Sequence, residues 1–284
     1  MPADPPARLR PGRVEPREIA ELRALKVRHP ELASAVDMQI ELAELQRRVH
    51  SRLRTPLPQR LESEVAARIA RGERLIDFDD LLIDWSDFRL VFRQTADILH
   101  RAGVIEHYDQ TALQELARNG NRMEPLARDY FARTAHPDHY MPPPDSEPGM
   151  IDDVLALALK PFLARCAEVW GPRVPMKDWQ RGWCPLCGLY PDFATIVNGD
   201  LFPICGRCTV HWPYDLDRCV FCAHDAIRSF ANADGRYRVL GCSHCRKYLK
   251  AYDAQGAPRP VLPAVDTIAT LPLDAAAIQQ GYDG

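Results

Sequence analysis

The chain has 284 residues, a formal net charge of -3 and an isoelectric point near 6.3. This length suits one large domain or a few small ones, and the 46% of apolar and 26% of charged residues are ordinary for a soluble globular protein. The acidic balance argues against a protein that binds nucleic acid electrostatically, because such proteins usually carry a basic domain. We therefore expect no nucleic-acid partner.

Two segments bear on targeting and membranes. Residues 1–17 are rich in proline and arginine, lack the apolar core of a signal peptide, and are predicted to be a mobile tail. The most apolar stretch, residues 154–170, is interrupted by Lys160 and Arg165 and is too short and too charged to span a bilayer. We therefore expect a cytoplasmic protein without membrane insertion.

Residues 18–172 are predicted to form an all-α domain, since apolar residues recur there at helical spacing. Pro30 and Gly72 mark two of the predicted helix ends. Residues 136–149, which include His136, His139 and three consecutive prolines, are predicted to be a loop or linker.

The aspartates around position 80 are assigned to helix capping. Asp77 is predicted to cap a long helix that runs towards Gly103. N-capping and surface charge explain this acidic group better than a catalytic role does. Its members are Asp77, Asp79, Asp80, Asp84 and Asp87. In the last strong helix, residues 151–170, Cys166 is expected to be a core residue and not a metal ligand.

The character of the sequence changes after Gly171. Strand-like pieces are short and turn residues are frequent. A core this small is rarely stable without a cross-link such as a disulfide bond or a bound metal ion. The predicted strands are residues 193–197, 236–240 and 248–252. We place one small module at residues 173–216 and a second, with a C-terminal tail, at residues 217–284.

Eight of the nine cysteines occur as four C-x-x-C pairs within 62 residues. The gaps between successive pairs are 17, 10 and 19 residues, and the outer two fit the spacing of a structural four-cysteine metal site. One such turn presents two thiolates, and two turns complete a tetrahedron. The predicted ligands are Cys184, Cys187, Cys205, Cys208, Cys219, Cys222, Cys242 and Cys245.

Several arrangements of these ligands remain open. We favour the first pair with the second and the third with the fourth, although a crossed pairing also satisfies the spacing. Disulfide bonds are less favoured than metal binding, because a reducing cytosol keeps thiols free. A redox-active dithiol in one pair is also less favoured, because it would leave the other pair with too few ligands for a metal ion. Zinc and iron both accept four thiolates, so the sequence predicts two metal ions without choosing between them.

Other residues near the pairs have structural explanations. His244, inside the fourth turn, is expected at the surface and not as a ligand. Trp183 and Trp212 are expected to shield the metal sites or to seal the seam with the helical domain. The basic residues of this region are assigned to a solvated face that partly offsets the thiolate charge. They are Arg207, Arg218, Arg228, Arg236, Arg238, Arg246, Lys247 and Lys250.

At these residues the chain resembles the FdhE family, the accessory proteins of formate dehydrogenases. The resemblance covers about a third of the chain and rests on the ordered set of four pairs, since no single pair is specific. The matching residues are Cys184-Pro185-Leu186-Cys187-Gly188 with Pro191, Cys205-x-x-Cys208-x-x-x-Trp212, Cys219-x-x-Cys222, Cys242-x-x-Cys245-x-x-Tyr248-Leu249-Lys250, and the stretch from Asp266 to Asp274.

The resemblance implies a cytoplasmic, non-catalytic factor that acts in the maturation or quality control of formate dehydrogenase. Such proteins bind the catalytic, molybdenum-containing subunit. The implied fold is a helical domain followed by two rubredoxin-like modules, with iron as the implied metal. Two other functions compete with this one: an electron carrier with rubredoxin-like iron, and, less favoured by the acidic charge, a zinc-ribbon protein that binds nucleic acid.

Overall fold

A computed structural model describes residues 15–54, 60–134 and 149–283. Within these ranges the chain forms seven α-helices, then a five-stranded mixed sheet, then two further helices. This is the α+β class that the sequence predicts. Residues 1–14 of the predicted tail, and residues 136–148 of the predicted loop, lie outside the described residues.

The elements are numbered in chain order. The helices before the sheet are α1 (Arg17–Arg28), α2 (Ala33–His50), α3 (Glu62–Arg71), α4 (Trp85–Arg101), α5 (His107–Arg118), α6 (Gly120–Thr134) and α7 (Met150–Trp170). The strands are β1 (Pro191–Val197), β2 (Asp200–Cys205), β3 (Ile227–Ala231), β4 (Tyr237–Cys242) and β5 (Tyr248–Asp253). The last helices are α8 (Pro263–Ala269) and α9 (Leu271–Gln279).

The prediction that Asp77 caps a long helix is wrong. Asp77 and Asp80 form a capping box around a single 3-10 turn, which ends at Leu82 in the left-handed conformation with φ 45°. α4 starts only at Trp85, where the Asp84 carboxylate accepts hydrogen bonds from two backbone N–H groups. Asp84 is a second strong cap, three residues after the 3-10 turn. It therefore divides a stretch that the apolar pattern predicts to be a single helix.

α7 lies at the centre of the helical part and packs against α2, α4 and α6. Its apolar residues bury against aromatic side chains of the neighbouring helices, such as Phe88, Phe92 and Phe131, which are almost fully buried. The same apolar core continues past α7 to Trp179, Trp212 and the first four cysteines. In the described ranges, no helix has the length and apolar character that crossing a membrane requires.

The sheet joins the two halves of the cysteine-rich region. Its strand order is β2-β1-β5-β4-β3, with antiparallel pairs except for the parallel pair of β1 and β5. The three predicted strands correspond to β1, β4 and β5, whereas β2 and β3 were not predicted. All five strands form one sheet, and the apolar core of the helices continues to the first four cysteines. The limits of the two small modules, residues 173–216 and 217–284, stay predictions.

α8 returns the chain to its first helices. Val265 and Ile268 of α8 share an apolar core with Leu22 of α1 and Val36 of α2. The fully buried Asp266 carboxylate accepts hydrogen bonds from the Arg259 guanidinium at 2.5 and 3.0 Å, from the Leu262 N–H, and from the Tyr237 hydroxyl on β4. Neither α8 nor α9 was predicted, because both are short, although a proline in the first turn of each helix is a start signal.

We predict that Asp266→Asn lowers the free energy of unfolding by about 3 kcal/mol, because it removes the negative charge closest to the nearly buried Arg259 guanidinium, whose other carboxylate partner, Glu21, is 3.8 Å away. Urea denaturation measures this change. The control is Asp79→Asn, which removes the exposed partner of Arg128 and should change stability little. Equal effects of the two substitutions would contradict the role assigned to Asp266.

Candidate metal centres

The eight paired cysteines lie in two groups of four, joined as the sequence analysis favours. The first cluster combines the first and second pairs, and the second cluster combines the third and fourth. In each cluster all four sulfur atoms lie within 4.8 Å of one another. The first cluster is Cys184, Cys187, Cys205 and Cys208; the second cluster is Cys219, Cys222, Cys242 and Cys245.

The spacing of the sulfur atoms fits a tetrahedral ion. Metal–sulfur bonds of about 2.3 Å place neighbouring sulfurs of a tetrahedron about 3.8 Å apart. The Sγ atoms of Cys219 and Cys245 are 3.7 Å apart, as are those of Cys222 and Cys242. In the first cluster the two corresponding distances are 3.4 Å. Each cluster could therefore hold one metal ion, and the donor set suits zinc and iron alike.

The four C-x-x-C turns share one backbone design, and we call each turn a knuckle. In every knuckle the N–H of the residue after the second cysteine donates to the carbonyl of the first cysteine. The first cysteine's N–H donates in turn to the carbonyl five residues on. The four donors of the first kind are Gly188, Thr209, Ala223 and Arg246, at 2.8 to 3.0 Å. This pair of bonds closes the loop and turns both sulfurs to one side.

The same four residues adopt the left-handed backbone conformation, with φ from 61° to 80°. Gly188 has φ 80°, which glycine adopts without a steric penalty because it has no side chain. Thr209, Ala223 and Arg246 adopt it with a side chain, which costs about 1–2 kcal/mol for each L-residue. The knuckle geometry is therefore held against a local backbone preference at three of its four occurrences.

The first cluster is part of the helical core. Its four cysteines are at most 1% exposed and pack with Trp212, whose indole N–H donates to the Arg181 carbonyl. The segment before the predicted Asp77 cap clamps the first knuckle, because the N–H groups of Leu75 and Ile76 donate to the carbonyls of Pro185 and Leu186. Trp212 thus shields the site and seals the seam, as predicted, and Trp183 packs half-buried beside it.

Arg207 lies within the second knuckle and is only 4% exposed, so its assignment to a solvated face is wrong. Its Nη2 donates to the Tyr130 hydroxyl and to Thr134 Oγ1 of α6, both at 2.6 Å, and its guanidinium lies over the Tyr130 ring. Its Nε and Nη1 have no hydrogen-bond partner among the described residues. A buried cation with spare donors beside four sulfurs is suited to balance thiolate charge.

Protonation of the first cluster reflects its burial. Burial raises the pKa of the Cys184 and Cys208 thiols well above the usual value. Hydrogen bonds from the neighbouring thiols, together with the Arg207 charge, hold the pKa of Cys187 well below it. Without a metal, Cys184 and Cys208 therefore favour the protonated thiol, whereas Cys187 favours the thiolate. A metal ion must displace the remaining protons to bind four thiolates.

The second cluster lies nearer to solvent. Cys219 and Cys242 are buried, whereas Cys222 and Cys245 are half-exposed. Burial raises the pKa of the Cys245 thiol, and the Phe221 N–H donates to Cys219 Sγ at 3.4 Å. The partial exposure of Cys222 and Cys245 is the main difference between two clusters whose knuckles share one backbone design.

The surroundings of the second cluster are exposed and partly aromatic. His224 and His244 are both exposed, and their rings stack with centroids 3.6 Å apart. His244 thus lies at the surface, as predicted, while the pairing with His224 was not. The Lys247 ammonium lies over the Phe221 ring.

Two further sequence assignments are settled by burial. Cys166 is buried in α7 away from both clusters, where its thiol donates to the Asp80 carbonyl, so it is a core residue as expected. Lys250 is 5% exposed and donates to Asp274 of α9 at 2.6 Å, so it does not belong to a solvated face. Sequence reasoning missed Tyr130 and Thr134 as partners of Arg207, because no local signal connects α6 with a knuckle 73 residues later.

We predict that Gly188→Ala lowers the free energy of unfolding of the metal-loaded protein by about 1 kcal/mol or more, because alanine disfavours the left-handed conformation. Ala223→Gly, at the equivalent position of the third knuckle, is the matched reverse substitution and should stabilise the protein by up to about 1 kcal/mol. Urea denaturation measures both. The same sign for both changes would show that backbone conformation does not control knuckle stability.

We predict two metal ions per chain, and one after Cys187→Ser or Cys222→Ser, because three thiolates hold an ion much less tightly than four. Elemental analysis of the purified proteins counts the ions. Cys187→Ser should also lower the free energy of unfolding by about 4 kcal/mol or more, since its cluster lies in the helical core. Cys166→Ser is the control and should keep both ions; loss of an ion there would contradict the assignment.

The fold is similar to that of the FdhE protein from Pseudomonas aeruginosa, as seen in its crystal structure. The two have a TM-score of 0.65 at 21% sequence identity, over 94% of this chain and 91% of that chain. No protein-family model and no curated protein matches the sequence. The chain therefore has an FdhE-like fold, which confirms at the level of structure the resemblance drawn from its cysteine pairs.

Proposed function

We propose that this chain is a cytoplasmic, non-catalytic accessory protein that acts in the maturation or quality control of formate dehydrogenase. Similarity to the FdhE fold over 94% of the chain is the observation that carries the proposal. The two four-cysteine clusters within that fold support it further. The client in this proposal is the catalytic subunit, as the resemblance of the cysteine pairs implies.

The chemistry of the clusters favours a role in structure over one in catalysis. Four thiolates fill the coordination sphere of a tetrahedral ion, so no open position is left for water or substrate. The cysteines would hold an iron or zinc ion that cross-links two knuckles in each half of the sheet. Knuckles, sheet and helical core together provide a rigid surface of the kind that can hold an immature protein.

A second candidate function is electron transfer. The half-exposed positions of Cys222 and Cys245 favour it, because an electron carrier needs its centre near the surface. An absorption spectrum of anaerobically purified protein separates the two candidates. A colourless protein that holds only zinc would eliminate the electron carrier and leave the accessory function standing.

We predict that the purified full chain binds the catalytic subunit of formate dehydrogenase, and that Cys222→Ser weakens this binding at least about tenfold, because a lost cross-link lets the surface fluctuate. Pull-down followed by titration calorimetry measures the affinity. Cys166→Ser is the matched control, a cysteine substitution outside both clusters, and should bind as the unaltered chain does.

Circular dichroism shows whether Cys222→Ser is folded, which separates a loss of binding from a loss of structure. If Cys222→Ser remains folded and binds with unaltered affinity, the metal sites do not support the client surface. If the unaltered chain with two bound ions does not bind the subunit, the proposed client is wrong, whatever the variants do.

A further inference from the structure

We infer that the two clusters differ in metal exchange. The second cluster releases and takes up its ion through the Cys222–Cys245 edge while the protein stays folded. The first cluster exchanges its ion only when the helical core opens. This inference rests on the part of the proposed function in which both clusters hold metal, and it is independent of the client.

The first cluster offers no route for a competing ligand. A chelator must approach the ion between two sulfurs, and all four of these sulfurs belong to residues that are at most 1% exposed. Above them lie the apolar side chains of the helical core, including Trp179 and Trp212, both at most 1% exposed. Hydrogen bonds from Leu75 and Ile76 hold the first knuckle to the helical part. Access therefore requires those bonds and that core to open together.

Charge strengthens this difference. A divalent ion with four thiolates has a net charge of -2, which is costly in an apolar core unless cations lie close to it. Arg207 supplies one buried cation. Its Nε and Nη1 groups donate no hydrogen bond to any described residue. Arg74 lies near enough for the Cys187 charge to affect it, and its guanidinium packs on the Phe131 ring. These cations offset the net negative charge of the loaded site, so removing one of them makes the bound state less favourable.

The second cluster lacks these restraints. None of its cysteines belongs to the apolar core that the helices share with the first cluster, and two of them, Cys222 and Cys245, are half-exposed. Water at the exposed edge screens the thiolate charge. A ligand from solution can therefore replace Cys222 or Cys245 at the ion, one sulfur at a time, while the sheet around the knuckles remains intact.

Pulsed alkylation of the unaltered chain tests the inference. Protein loaded with two zinc ions is mixed with an excess of a chromogenic chelator, and samples are labelled with iodoacetamide and analysed by peptide mass spectrometry. One zinc equivalent should leave at least about tenfold faster than the other, because local opening needs less free energy than opening of a core. Labelling of Cys219, Cys222, Cys242 and Cys245 should accompany the fast release.

Labelling of Cys166 reports when the helical core opens. Cys166 lies in the same apolar core as the first cluster and is 1% exposed, so its thiol reacts only when that core opens. Cysteines of the first cluster should become labelled together with Cys166, in the slow phase. Release of both ions in one phase, or labelling of the first cluster ahead of Cys166, would overturn the inference.

Two substitutions sharpen the test. Arg207→Met should accelerate the slow phase several-fold and leave the fast phase unchanged, and Arg228→Met, an exposed arginine of β3, should change neither. An equal acceleration of both phases by Arg207→Met would contradict the role of buried charge. Protein that takes up fewer than two ions would instead refute the metal sites themselves, and client binding is measured separately.

Discussion

The structure depends on bringing four sulfur ligands to one point, twice. Thiolates repel one another, and burial in the first cluster raises the pKa of two of its thiols. A bound cation reverses this balance, since it stabilises four anions that the metal-free core disfavours. Several features hold the sulfurs of the clusters together. They are the left-handed residues of the knuckles, the buried Arg207 with its hydrogen bonds to α6, and the backbone hydrogen bonds from the segment before α4.

The spacing of the cysteines was enough to predict that the four pairs come together, and to favour the pairing that the structure has over a crossed one. The helical character of residues 18–172 followed from apolar periodicity, and the end of α3 at Gly72, which has φ 73°, followed from the freedom of glycine to adopt positive φ. The burial of Arg207 and Lys250 could not be predicted in this way. Both depend on partners far along the chain, in α6 and α9, that local pattern does not reveal.

The missed strands and helices have a related cause. β2 contains Pro203 and β3 is mostly exposed, so neither shows clean alternation of apolar and polar residues. Identical knuckles also gave no hint that the two clusters differ. The difference comes from what packs on them: helices cover the first cluster, and solvent reaches the second.

The packing of α8 against α1 and α2 has a consequence for biosynthesis. These contacts join segments at opposite ends of the described chain, which raises the contact order of the fold. The apolar face formed by Leu22 and Val36 stays uncovered until Val265 has left the ribosome. The cysteine-rich sheet precedes α8 in the chain, so the contact between α8 and the first helices forms late and the apolar face of α1 and α2 is open to aggregation until then.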